Sequence, residues 1–130
     1  MRTLAVVVVA IAMLIGGCAS TETVKEARGQ GISRTYPIGY DAVYDAALAA
    51  AKAKELEVIE SDRASGRLLL SHGVTWLSWG ERIAVFVKSV SPRTTDVEIV
   101  SKPVLSPLNF PPDWDKILLD QIGAELHRKK

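Results

Sequence analysis

The chain has 130 residues and carries 16 basic and 15 acidic side chains. The two signs are interspersed, so the concentrated positive charge that neutralises nucleic-acid phosphates is missing, and we expect no nucleic-acid partner. The chain has a single cysteine, Cys18, which excludes an intramolecular disulfide, so the domain must be stabilised by packing.

The first 17 residues have the order of a secretory signal peptide. Arg2 supplies a positive charge, and Leu4 to Ile15 is an unbroken apolar run of 12 residues. As a helix this run would be about 18 Å long, well short of the roughly 30 Å hydrocarbon core of a bilayer. We therefore expect residues 1–17 to be removed as a signal peptide.

The segment Leu14 to Cys18, with the sequence LIGGC, resembles the lipobox of bacterial lipoproteins. The resemblance implies cleavage between Gly17 and Cys18, a diacylglyceryl group on the thiol and acylation of the new amino terminus. Two or three acyl chains anchor a protein stably, because each buried methylene contributes about 0.8 kcal/mol. In Gram-negative lipoproteins, an aspartate directly after the acylated cysteine retains the protein in the inner membrane. Because Ala19 stands at that position here, the resemblance implies sorting to the outer membrane, facing the periplasm. The alternative is an ordinary secretory signal followed by a structural cysteine.

The mature chain is expected to hold one domain. It would have about 113 residues, and because Arg2 is the only charge in the signal, 15 basic and 15 acidic residues remain. Residues 18–31 are polar, with two glycines, and are predicted to be the acylated N-terminus and a flexible tether. The alternative is a frayed helix near residues 23–28. The domain itself is assigned to residues 32–130.

Two helices are predicted in this domain. The segment from about 40 to 54 is rich in alanine and has apolar residues at helical spacing, among them Val43 and Ala47. The segment from about 113 to 128 has an apolar stripe and acidic residues near its start, which suit the helix dipole. The stripe consists of Trp114, Leu118, Ile122 and Leu126.

Alternating apolar and polar residues predict the strands. A short strand is expected at residues 32–38, ending near Pro37 or lying at a sheet edge. Residues 56–60, as a half-buried strand, and 67–71 form one predicted hairpin. Residues 81–90 and 95–102 form another.

In the second hairpin we expect Ile83, Val85 and Val87 to face inward, and Phe86 and Val100 to pair on the outer face. The order of elements predicts an α+β fold. An antiparallel sheet of about four to five strands would pack against the early helix and the C-terminal helix.

No catalytic, metal or cofactor site is predicted. Assigning Cys18 to lipid removes the only thiol, and no His, Cys, Asp or Glu set has metal-ligand spacing. His72 is interpreted as a loop or strand-end residue and Glu81 as a surface charge with a cross-strand partner. Asp113 and Asp115 are assigned to the helix start, with a ligand contact as the alternative.

Two tryptophans, Trp76 and Trp79, occur in a short glycine-bracketed connection. Exposed rings of this size are costly in water, and tryptophan is enriched at binding hot spots. One interpretation is that both rings cap the open end of the sheet or lie against the C-terminal helix beside Trp114. The other makes them candidate contacts for a partner or a membrane surface.

Five stretches of the mature chain resemble small bacterial envelope lipoproteins. They are Tyr40 to Ala47, Ile59 to Asp62, Gly66 to Leu68, Gly80 to Val85 and Val100 to Lys102. The element order is similar to the helix-grip modules of the accessory lipoprotein of the outer-membrane β-barrel assembly machinery. The resemblance covers about 90 residues as a pattern, and it implies no site residues.

Two functions are compatible with these features. The first is a non-enzymatic, membrane-anchored envelope lipoprotein that binds or scaffolds another envelope component through a sheet edge or the Trp76 and Trp79 connection. The second is a protein that binds lipid or another small apolar ligand between sheet and helix. An enzyme is not expected, and the membrane would be contacted through the acyl chains.

Overall fold

The computed structural model of the chain describes residues 24–73, 80–104 and 112–129. It contains five strands and two main helices. In chain order they are β1 (Ile32–Tyr36), α1 (Tyr40–Ala53), β2 (Glu57–Asp62), β3 (Arg67–His72), β4 (Glu81–Ser91), β5 (Thr94–Pro103) and α2 (Trp114–Arg128).

The strands form one antiparallel sheet in the order β1-β5-β4-β3-β2. β2 and β3 form one hairpin and β4 and β5 the other, while β1 lies beside β5. Within the described residues, β1 and β2 are the two edge strands, because they take the first and last places in this order. The predicted α+β fold, with its early and C-terminal helices, is confirmed.

The main core lies between the helices and the inward face of the sheet. In α1 the buried residues are mostly alanines, and their short side chains let the helix approach its neighbours closely. α2 buries the apolar stripe that the sequence predicts. The sheet contributes Leu68, Leu70, Ile83, Val85, Val87, Val97 and Ile99, all under 4% exposed.

The outer face of the sheet is also apolar, and the N-terminal segment covers it. Leu69, Ala84, Phe86 and Val100 form a second cluster together with Val24 and Ala27. Val24 and Ala27 are each only 1% exposed. We call residues 24–31 the strap. The sequence places these residues in a flexible tether, whereas in the structure they start with a helical turn and pack on the sheet.

Two local expectations about the sheet are wrong. Phe86 is paired with Glu98, and Val100 with Ala84, so the two apolar residues share a face but are offset along it. The sequence predicts a half-buried strand with Leu56 and Val58 on its inner face; Leu56 is buried in the main core, but Val58 is 42% exposed. The cause is an edge position combined with a register irregularity between Val58 and Glu60, which disturbs the simple alternation.

The turn between β2 and β3 depends on Gly66. Its φ is +74°, and Val87 donates its backbone N–H to the Gly66 carbonyl at 2.7 Å. A Cβ at this position would lie 2.1 Å from the Val87 carbonyl oxygen. Glycine is therefore required both by the backbone conformation and by the close approach of β4.

We expect Gly66→Ala to lower the free energy of unfolding by at least about 2 kcal/mol, since the left-handed conformation alone costs an L residue about 1–2 kcal/mol. Urea denaturation monitored by circular dichroism measures the change. Gly73→Ala is the matched control, because no atom of the described residues lies within 4 Å of a Cβ there. Equal stability of the two variants would contradict this account of the turn.

Candidate functional site

The sites expected from the sequence fall into two groups. Gly17, Cys18, Trp76 and Trp79 lie outside the described residues, so the lipidation site and the partner contacts stay predictions. His72, Glu81 and the start of α2 are described.

His72, Glu81 and Trp114 meet at one end of the sheet, and we call them the sheet-end cluster. Nδ1 of His72 lies 2.6 Å from Oε2 of Glu81, and Nε1 of Trp114 donates to the same oxygen at 3.3 Å. The rings of His72 and Trp114 are 4.9 Å apart between centroids, with an interplanar angle of 58°. The Glu81 side chain is fully buried, while that of His72 is 21% exposed.

Three elements bring these residues together. His72 is the last residue of β3 and Glu81 the first of β4, and the two are directly paired in the antiparallel register. Trp114 is the first residue of α2, where the chain returns to the sheet. The contact therefore joins the β3 and β4 ends to the beginning of the second helix.

The interpretation of Glu81 as a surface charge is wrong, although the cross-strand partner is present. Glu81 has the same parity as Ile83 and Val85, so strand alternation alone directs it inward. Near the end of a strand this signal competes with the general rule that a carboxylate stays in water. A buried charge needs partners, and His72 and Trp114 are two that the structure provides.

The cluster is built to hold a carboxylate and an imidazole in fixed orientation. Oε2 of Glu81 accepts from Nε1 of Trp114, and in the neutral tautomer with its proton on Nδ1 the His72 ring donates to the same oxygen and keeps Nε2 as an acceptor. Such pairs orient a histidine in catalytic and metal sites alike. Within residues 24–73, 80–104 and 112–129, however, no group of three or more His, Cys, Asp or Glu residues is arranged to hold a metal ion.

The acidic start of α2 lies beside the cluster. Asp113 is the N-cap residue, but its side chain makes no capping hydrogen bond, and it is exposed. The pKa of Asp115 is raised, first by burial and then by the negative charge of Asp113. These carboxylates therefore contribute charge near the helix N-terminus rather than a side-chain cap.

Polar contacts hold the strap on the outer face of the sheet. The carboxylate of Glu98 accepts the Gly29 N–H with both oxygens at 2.8 Å and the Gly31 N–H at 3.1 Å. At the other end, Lys25 lies 3.0 Å from a carboxylate oxygen of Glu60. Arg28 stacks its guanidinium 4.5 Å from the centre of the Phe86 ring. The strap is thus bound along its length.

A small cleft opens between the end of β1 and α2. Its volume is about 170 Å³, below the roughly 300–1,000 Å³ of typical small-molecule pockets. The residues that line it are Tyr36, Pro37, Ile38, Gly123, Leu126 and His127. Elsewhere between the helices and the sheet, the described side chains pack as the main core. An internal site for a small apolar ligand stays a prediction that this packing does not favour.

Comparisons with known proteins identify no family. No protein-family model and no curated protein sequence matches the chain. Among solved structures, the crystal structure of Ara h 8.0201 is similar over 74% of this chain and 95% of its own, with 10% sequence identity and a TM-score of 0.40. In the described part of the chain, no helix is long and apolar enough to cross a membrane.

We expect Glu81→Ala to destabilise the fold by about 2 kcal/mol or more, because it removes a buried acceptor from two ring nitrogens. Glu81→Gln keeps one side-chain oxygen and should lose less. Chemical denaturation of both variants at one pH gives the comparison. An unfolding free energy for Glu81→Ala equal to that of the parent protein would refute a structural role for the cluster.

A second prediction concerns Glu98 and the strap. Glu98→Ala removes the acceptor for two strap amides, so the strap should detach more often and trypsin should cut after Arg28 faster. We expect about a fivefold increase in the cleavage rate, equivalent to about 1 kcal/mol for the lost hydrogen bonds. Glu57→Ala, which removes an exposed carboxylate from β2, is the control, and identical rates in the two variants would argue against this attachment.

Proposed function

We propose that this protein is a membrane-anchored bacterial envelope lipoprotein whose folded domain is a non-enzymatic binding or scaffolding module. The acyl chains on Cys18 anchor it, in the outer membrane facing the periplasm. The acyl anchor holds the domain at the membrane surface, where the domain engages another envelope component.

The observation that supports this proposal most directly is the short spacing between Cys18 and the strap. Only five residues separate Cys18 from Val24, and Val24 is already buried against the sheet. An extended chain advances by at most about 3.6 Å per residue, so Val24 would lie within about 22 Å of the acylated residue. Acylation at Cys18 would therefore keep the domain near the bilayer.

The strap also gives the anchored domain a preferred orientation. Because the strap runs over the outer face of the sheet, the lipid attachment would approach from that face. The two helices cover the opposite face. The edges of the sheet, including β1 with Ile32 53% exposed, would lie between these faces and stay open to a partner.

Cys18→Ser tests the anchor. In a Gram-negative host fed an alkynyl fatty acid, we expect the parent protein to be labelled and to sediment with membranes. The variant should be unlabelled, and either uncleaved before residue 18 or soluble. Intact-mass measurement separates these forms, and equal melting temperatures of the purified domains would show that the fold is kept.

Ser20→Ala is the matched control, because it changes a neighbouring polar residue and leaves the lipobox residues in place. It should be labelled and sedimented like the parent protein. Fatty-acid labelling and membrane residence of Cys18→Ser would overturn the lipoprotein assignment.

A further inference from the structure

The two edges of the sheet differ in regularity. β2 has a register irregularity between Val58 and Glu60 and carries three carboxylates, Glu57, Glu60 and Asp62. Bulges and edge charges both hinder the addition of another strand. β1 pairs with β5 through five consecutive residues without interruption. Its residues 32–35 are all exposed.

The register determines which backbone groups of β1 point away from β5. Along an antiparallel strand, residues alternately direct their N–H and C=O to one neighbour and then to the other. Val87 donates to the Gly66 carbonyl on the β3 side, so the even-numbered residues of β4 face β5. The even-numbered residues of β4 pair with even-numbered residues of β5, so the odd-numbered residues of β5 face β1. These pair with the even-numbered residues of β1, whose backbone groups therefore face β5. Ser33 and Thr35 therefore direct their backbone groups outward.

The side chains beside this edge define two different surfaces. Tyr36 and Arg34 lie on the helix side, where the Tyr36 hydroxyl donates to the Leu119 carbonyl at 2.6 Å and Arg34 pairs with Asp120 at 2.9 Å. The cleft between β1 and α2 adjoins Tyr36 on this same side. On the outer side, the side chains of Ser33 and Thr35 are polar. A strand added here would meet an apolar cleft on one face and hydroxyls on the other.

We propose that the β1 edge is a docking site for an extended segment of a partner protein, which adds to the sheet as a sixth strand. Main-chain hydrogen bonds to Ser33 and Thr35 would hold it, and an apolar side chain opposite Tyr36 would enter the cleft. The segment alternates apolar and polar residues, with its polar side chains facing the two hydroxyls. This inference rests on the binding role proposed above, but not on lipidation.

A partner of different sequence fits this edge better than a second copy of the chain. Full overlap of two β1 strands in antiparallel pairing would be centred on Arg34. The two Arg34 side chains would then lie directly opposite each other, which is an unfavourable cross-strand pair.

A displayed library of ten-residue peptides, in which apolar and polar residues alternate, provides the probe. We select it against the full mature chain and measure amide hydrogen exchange by NMR with the enriched peptides. Exchange at Ser33 and Thr35 should slow. Ser33→Pro removes an outward N–H while leaving the β1 to β5 hydrogen bonds, so affinity should fall on the order of tenfold or more. Ser33→Val keeps the N–H and should bind within about twofold.

Several outcomes would overturn the docking site. The proposal is wrong if the enriched peptides bind Ser33→Pro as tightly as the parent protein, or if they protect amides only outside β1. A selection that yields no binder would also overturn it. Dimerisation of the mature chain in sedimentation experiments, abolished by Ser33→Pro, would assign the edge to a second copy instead. Because the peptide assay does not depend on acylation, its failure is distinguishable from failure of the Cys18→Ser experiment.

Discussion

The structure depends on covering both faces of a single sheet. Its inward face is buried by two helices, and its outer face presents Leu69, Ala84, Phe86 and Val100, which would contact water if the strap were absent. Burial of apolar surface stabilises a fold by roughly 25 cal/mol per Å². The strap is therefore part of the domain and lies on the face opposite the helices.

The strap connects the folded domain to the segment that carries the proposed anchor. The carboxylate of Glu98, on β5, accepts the backbone N–H groups of Gly29 and Gly31 and so fixes the end of the strap on the sheet. The same strand is the neighbour of β1. Two structural tasks thus meet in β5, because it fixes the strap on one face and supports the free edge strand beside it. The helices lie on the opposite face of the sheet and so interfere neither with the strap nor with the β1 edge.

The repeating patterns of the sequence predict the main elements well. Helical spacing identifies α1 and α2, and alternation assigns Ile83 and Val85 to the core, because a regular element repeats the same environment many times. Glu81 is the instructive exception. Its parity with those two residues predicts burial, but only the approach of His72 and Trp114 supplies the hydrogen bonds that make a buried carboxylate acceptable.

The sequence by itself determines the α+β class, the order of elements and a lipobox-like segment at Cys18, because these depend on residues close together in the chain. The tertiary structure decides that the strap joins the sheet, that Glu98 binds it and that β1 is the more regular of the two edge strands formed by the described residues. Those features depend on residues about 70 positions apart, such as Gly29 and Glu98. No local pattern specifies such contacts, since they arise only when strand order and register bring the segments together.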